Sequence, residues 1–306
     1  MIELQVVPGP AVTREAFLRT HPPYSIALDG YVHGAPFLDV RDDGPRRNFN
    51  HHEAVDRSCT SATCEQVRRA VLLGLYDLFR DDGGRRAVLW VNDCDQDVCL
   101  ATWILMNADR AAEPLVRQLT QIEDLLDSSS GTFPMPHDGD LLAEVRWVFD
   151  PYARVRARLV GMGAAQMRGV IDDVHLRIDQ FVIGRAGAVP LEGGYQRLGG
   201  GAWWLVEVAH PHARERLVAA GVRAAVELTA RVGDRYAYAL WRRSEYTAWF
   251  PVPAILAALN VAEGLAPDAA DGWGGAETVG GSPRGRGSRL TPAEVEAGVD
   301  AIVAHR

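Results

Sequence analysis

Apolar positions in the first third of the chain fall into short runs separated by polar, Asp- and Gly-rich breaks. Residues 2–7 end at Pro8-Gly9-Pro10, residues 24–28 end at Asp29-Gly30, and residues 87–91 (AVLWV) follow Gly83-Gly84. Compact β-branched and aromatic runs bounded by turn residues predict buried strands. Helical spacing takes over elsewhere. Residues 13–18 predict one helical turn. Thr63-x-x-Gln66 has the form of a capping box and opens an amphipathic helix through Val67, Val71, Gly74, Leu75 and Leu78. Val98, Ala101, Thr102 and Leu105 predict a helix directly after the third strand, and residues 118–126 predict another. Residues 141–183 read as mostly helical, broken at Pro151 and at Gly161-x-Gly163. Strands alternating with helices predict an α/β fold with a mainly parallel sheet flanked by helices.

Beyond the glycines at 193–194 and 199–201 the pattern restarts. Strands are predicted at 203–208, 222–228 and 235–242, and helices at 213–217 and 253–259. A glycine-rich stretch over 272–284 precedes a last helix, where Thr291 fits the N-cap, Pro292 the first turn and Glu294 the capping box. This second region predicts a smaller α/β domain. With 306 residues the chain is long enough for two.

Charge narrows the partners. A formal net charge of −8 disfavours long nucleic acid held on a broad basic face, although a local cationic pocket is compatible with it. Lysine is absent, so every basic side chain other than histidine is Arg. No apolar run reaches membrane-spanning length and the acidic start is unlike a signal peptide, which together point to a cytoplasmic protein without membrane partners. Cys59, Cys64, Cys94 and Cys99 lack the tight pairing of a zinc site and read as reduced, mostly buried thiols.

The chemistry concentrates where predicted strands end. Asp93-Cys94-Asp95-Gln96-Asp97 sets three carboxylates at a strand-to-helix junction, where open α/β sheets place their crevices. Taken alone, such a run also reads as a solvated turn capping a helix. An EF-hand loop is excluded, because Val98 stands where that loop needs Gly and Ile104 where it needs Glu. Three like charges this close repel, and a divalent cation offsets the repulsion better than a helix N-terminus does. Asp29 closes an earlier strand and also reads as a turn residue. Asn50-His51-His52 offers adjacent imidazoles, which in extended backbone would face opposite sides and do different work. Asp127, before Ser128-Ser129-Ser130-Gly131-Thr132-Phe133, is another candidate acid in a predicted loop. Asp172, Asp173 and His175 read more simply as a solvated helix face.

Together these motifs resemble the DHH phosphoesterase superfamily, two-metal hydrolases of phosphate esters and anhydrides named for an Asp-His-His motif. Asp93-x-Asp95-x-Asp97 resembles the alternating metal motif of the RecJ-type branch. Asn50-His51-His52 is similar to the name-giving motif, with Asn in place of Asp, and Asp29 to the metal-bridging Asp. Residues 238–244 and 274–284 resemble the Arg-Ser strand and glycine loop of the associated C-terminal domain, with Ser282-Pro283-Arg284 in place of a histidine. Because the acids follow the histidines in this chain, the resemblance implies a circularly permuted core.

The resemblance also implies roles. Asp29, His51, Asp93, Asp95, Asp97 and Asp127 would hold two divalent cations, Mn²⁺ by family habit, and His52, Asp95 and Asn50 would serve catalysis. Arg243, Gly280, Gly281, Arg284, Arg286 and Arg289 would bind a small phosphorylated or nucleotide-like substrate, with Thr278 and Ser282 as further donors. Residues 1–165 would form the metal-binding catalytic domain, 166–190 a connecting helix and 191–306 the substrate-binding domain, in a monomer or homo-oligomer. Two other readings stay open: a metal-dependent hydrolase or lyase on a non-phosphate substrate, and a non-catalytic nucleotide-binding regulator.

Overall fold

In a computed structural model the chain divides into two compact units, Met1–Ser128 with Gly139–Pro190, and Ser129–Asp138 with Leu191–Arg306. The structure describes residues 1–56, 59–135, 140–156, 159, 161–190, 193–209, 213–283 and 286–304. It is a mixed α/β protein. No helix among the described residues is long and apolar enough to cross a membrane.

The first unit runs β1 (Ile2–Val6), α1 (Arg14–Thr20), β2 (Ser25–Leu28), β3 (Phe37–Arg41), β4 (Gly44–Phe49), α2 (Thr63–Leu72), α3 (Leu75–Leu78), β5 (Arg80–Asp81), β6 (Gly84–Arg85), β7 (Ala87–Val91), α4 (Gln96–Met106), α5 (Pro114–Ser128), α6 (Asp140–Val155) and α7 (Ala164–Val182). Its main sheet has the order β1-β7-β2-β4-β3. β7 lies parallel to both β1 and β2, β2 lies parallel to β4, and β3 closes the edge antiparallel. All four β2 side chains are buried, as a central strand covered on both faces requires. Phe17, Ala27, Tyr31, Val32 and Phe37 pack together on the α1 side. Helices α2, α4 and α7 meet sheet strands, and α7 packs on α4, α5 and α6 inside this same unit.

Two local departures from the sequence pattern shape the site. Residues 37–49 form the hairpin β3–β4, although Gly44-Pro45-Arg46-Arg47-Asn48-Phe49 contains no apolar run. Arg46 is buried there because its guanidinium is matched to both Asp43 oxygens, at 3.1 and 2.9 Å, and to the His21 carbonyl. The capping box at α2 does not form. Ala62 occupies the N-cap, and Gln66 instead donates to the carbonyls of Asn50 and Ser61. The helix predicted through Leu78 also breaks at Gly74, whose φ of +96° suits glycine. By contrast α6 runs through Pro151 without ending.

The second unit contains β8 (Tyr195–Gly199), β9 (Trp204–Val208), α8 (Ala213–Ala219), β10 (Ala224–Val232), β11 (Arg235–Arg242), α9 (Val252–Ala262), β12 (Gly274–Gly275), β13 (Val279–Gly281) and α10 (Pro292–Val303). Its sheet, ordered β12-β13-β11-β10-β9-β8, is antiparallel except for β9 against β10. Trp203, Phe250, Leu259 and Val295 belong to the core on one face. The capping box at Thr291 and Glu294 is formed as the sequence predicts.

Candidate metal centre

Because β7, β2 and β4 are parallel neighbours, their C-terminal ends share one edge of the sheet, the usual crevice of an open α/β sheet. Each end carries one predicted group. Asp29 follows β2 in the left-handed region, φ +47°, with Gly30 at +78° after it. Asp tolerates that region better than most residues, and such a conformation at a strand end is a mark of functional sites. After β4 the chain bends, because the Asn50 carboxamide accepts from His52 N at 3.0 Å and donates to the Gly34 carbonyl at 2.9 Å. Asn50 is thus a buried tie that shapes the loop. The bend also overturns the expectation of opposed imidazoles. The two rings lie side by side, centroids 4.3 Å apart.

His51 is the hub. Its Nε2 lies 2.8 Å from Asp127 Oδ2, 3.3 Å from Asp29 Oδ1 and 3.6 Å from Asp97 Oδ2, while His52 Nε2 lies 2.8 Å from Asp29 Oδ1. Two groups of ligand-type atoms result, Asp29–His51–His52 and His51–Asp97–Asp127, each within 4.8 Å of one another. The His51 ring is fully buried, yet neither nitrogen makes a directed hydrogen bond. A buried imidazole ringed by carboxylates and left without a directed partner fits a cation, and the oxygen-and-imidazole donor set suits Mn²⁺, Fe²⁺ or Zn²⁺. Asp127 reaches the site from the last turn of α5, which runs to Ser128, past the end at residue 126 that the sequence suggests.

The three alternating acids divide their work. Asp97, in the first turn of α4, grips the start of α2: its oxygens accept from Thr63 N at 2.7 Å and Cys64 N at 2.6 Å. Asp95 is the N-cap of α4, accepting from Val98 N at 2.8 Å. Asp93 accepts from Cys94 N. Neither Asp93 nor Asp95 joins the two compact groups among the described residues, though their charges act on the same centre.

Electrostatics follow from crowding. Burial, then the charges of Asp29 and Asp127, push the Asp97 carboxyl up to about 7. Burial and the neighbouring Asp29, Asp93 and Asp127 raise Asp95 well above the ordinary range. Asp29 goes the other way. Burial alone would raise it, but the adjacent His51 and His52 imidazoles hold it below the usual carboxylate range. Burial would lower His51, yet Asp127 and Asp29 push it up to about 10. Without a cation this centre therefore holds protons that a cation would displace.

Three residues belong to this neighbourhood that sequence patterns did not mark. Thr63, read as a helix cap, donates its hydroxyl to Asp29 Oδ1 at 3.1 Å. Glu123 lies on the inner face of α5, one turn before Asp127, and is raised well above the carboxylate range by burial and then by the charge of Asp127. The Tyr152 phenol is raised by burial and next by Asp95. An acid at a helical core position is the one signal by which the sequence could have pointed to Glu123.

The other α7 candidates face elsewhere. Asp172 pairs with Arg168 on the exposed surface, and Asp173 is exposed. His175 Nε2 instead meets Thr102 Oγ1 and the Cys99 carbonyl, both at 3.0 Å. Burial lowers its pKa to about 4, against a smaller raising effect of the Cys99 carbonyl. The unfolded chain, with His175 near 6.5, binds the proton more readily, so this stability is present above that pH and lost as pH falls toward 4. Denaturation at pH 7 and 4.5 should show His175→Gln losing about 2 kcal/mol less than wild type between the two pH values. Equal losses would refute the buried neutral imidazole.

The substrate-binding residues expected in the second unit have mostly structural partners. Arg243 donates to the carbonyls of Val218 and Val222, 3.1 and 3.0 Å away, and so closes the end of α8. Gly280 and Gly281 pair with Leu240 and Ala239. A Cβ at Gly281 would lie 2.6 Å from the Tyr238 carbonyl oxygen, and one at Gly280 would lie 2.8 Å from Leu256, so close strand packing explains both glycines. Ser282 Oγ accepts from Tyr238 N, and the Thr278 carbonyl accepts from Arg242 N. Arg286 is tied to the Asp271 carbonyl, Arg289 is exposed, and Arg284 lies outside the described residues. Cys64, Cys94 and Cys99 are buried thiols, and Cys59 is exposed.

Protein-family profiles, curated proteins and solved structures were all compared with this chain, and none matches it.

Proposed function

We propose that the chain is a metal-dependent phosphoesterase of the DHH kind with a permuted core, acting on a small phosphorylated or nucleotide-like compound. The observation that carries this reading is His51, buried and shared by two ligand groups at the ends of three parallel strands. His51 Nε2, with a single lone pair, would hold one divalent cation together with Asp97 and Asp127, and Asp29 and His52 would hold a second, with Asp93 and Asp95 supplying charge beside them. Two such cations, when bound, lower the pKa of an attacking water and stabilise both the entering and leaving oxygens of an in-line displacement.

The chain's own residues supply the rest. His52 is the exposed member of the pair, and Asp29 holds its Nε2, so its ring is presented to incoming substrate in a fixed orientation. From there its other ring nitrogen, Nδ1, can orient a phosphate or pass a proton to a leaving oxygen. Thr63 Oγ1 fixes the Asp29 oxygen that both histidines approach. Asn50 keeps the two imidazoles adjacent by bending the backbone between them.

Mn²⁺ binding by equilibrium dialysis, followed by assays on an aryl phosphodiester and a dinucleotide panel, tests this. The expected result is close to two equivalents of Mn²⁺ and cation-dependent hydrolysis that Asp95→Ala abolishes. Cation binding without phosphoester hydrolysis would move the function to a non-phosphate substrate. Nucleotide binding without any cation would replace it with a regulatory role.

A further inference from the structure

Helix α5 brings three acids toward the site, and two of them have an evident task. Asp124 accepts from Ala62 N at 2.6 Å, and Asp127 lies 2.8 Å from His51. Glu123 is different. Its side chain is 1% exposed, and its Oε2 is buried with no hydrogen-bond partner. It shares the buried face of α5 with Val116, Leu119 and Thr120, where helical periodicity calls for an apolar side chain. Thr120, one turn back, spends its hydroxyl on the Val116 carbonyl and gives Glu123 nothing. Asp127 is one turn ahead, and side chains four apart stack on the same face.

A bare carboxylate oxygen in a helix core is destabilising, because burial removes its water and nothing replaces it. A residue there only for packing would be more stable as Leu or Met. Resting on the metal-site reading above, we propose that Glu123 is a further carboxylate serving the cation of this centre, outside the two compact ligand groups and one helical turn from Asp127 of the His51–Asp97–Asp127 group. Its free oxygen adds negative charge and an acceptor to the divalent cation that group would hold. On this view the position trades stability of the cation-free protein for cation affinity.

The trade makes the test two-sided. Glu123→Gln keeps the shape and removes the charge, while Glu123→Met is equally long and apolar. Calorimetry of cation-free protein should show both variants melting at or above the wild-type temperature. Dialysis with Mn²⁺ should show both binding about tenfold to a hundredfold more weakly, with a smaller Mn²⁺-induced rise in melting temperature. Wild-type Mn²⁺ affinity in both variants would overturn the proposal. So would a cation-free melting temperature that falls in both, or failure of both to fold, since Glu123 would then be a structural partner. Absence of Mn²⁺ binding by the wild-type protein would instead defeat the metal-site reading itself.

Discussion

Replacing Asp97 with alanine should unfold the first unit at markedly lower denaturant, even with no cation present. Helix α2 begins at Ala62-Thr63-Cys64, which offers no side-chain cap, and its first amides are satisfied from other elements. Asp124 takes Ala62 N, and the two oxygens of Asp97 take Thr63 N and Cys64 N. Each is a charge-assisted bond in a buried setting, and truncation leaves both donors without water. Two orphaned amides at about 1–3 kcal/mol each outweigh the relief of carboxylate repulsion, so a loss of roughly 3 kcal/mol is expected. Asp97→Asn keeps one acceptor oxygen and should lose about half as much. Urea unfolding in chelator measures both. A wild-type midpoint for Asp97→Ala would show that α2 is capped some other way. The same variant should lose the cation of the His51–Asp97–Asp127 group, so its Mn²⁺ stoichiometry drops together with its stability.

The second large effect belongs to His51. It is the one residue common to both ligand groups, whereas His52 serves only the first and Asp127 only the second. His51→Ala should therefore remove the cation that its Nε2 ligates and weaken the second, whose Asp29 it also approaches. His52→Ala and Asp127→Ala should each remove one and leave the other measurable. The loss in affinity should exceed the roughly 10–100-fold that follows removal of an outer-sphere partner. Equilibrium dialysis gives the stoichiometries, and far-ultraviolet circular dichroism of the same samples checks that the sheet survives. A His51→Ala protein that still holds a full complement of Mn²⁺ would place the cations elsewhere.

Legibility in the sequence followed the chemistry of each segment. The run at β2 was readable because a strand buried on both faces must be apolar throughout, while β1 and β7 alternate between a more and a less buried face, with apolar residues on the more buried one. The hairpin β3–β4 was not readable, because its buried positions include Arg46, and what makes burial possible there is Asp43 beside it. Composition cannot announce a compensating partner. The same limit applied to the site. Asp29, His51, Asp97 and Asp127 were visible as metal-compatible residues at predicted strand and helix ends. Their division of labour was not, since whether Asp97 faces a cation or a helix amide depends on where α2 begins in space. Thr63 looked like a local cap and turned out to serve Asp29, and Arg243 looked like a substrate ligand and closes a helix.

The place of β7 in the sheet has a kinetic consequence. β1 and β2 are separated only by residues 7–24, yet they never pair with each other, because β7 fills the space between them. As the chain leaves the ribosome, residues 2–6 and 25–28 must therefore wait for residues 87–91, each with an unpaired edge. Long-range closure of this kind is slow, and bare strand edges invite pairing with other chains. The strand that brings the acids to His51 also completes the sheet, so the centre and the hydrogen-bonded core come into being in the same late event.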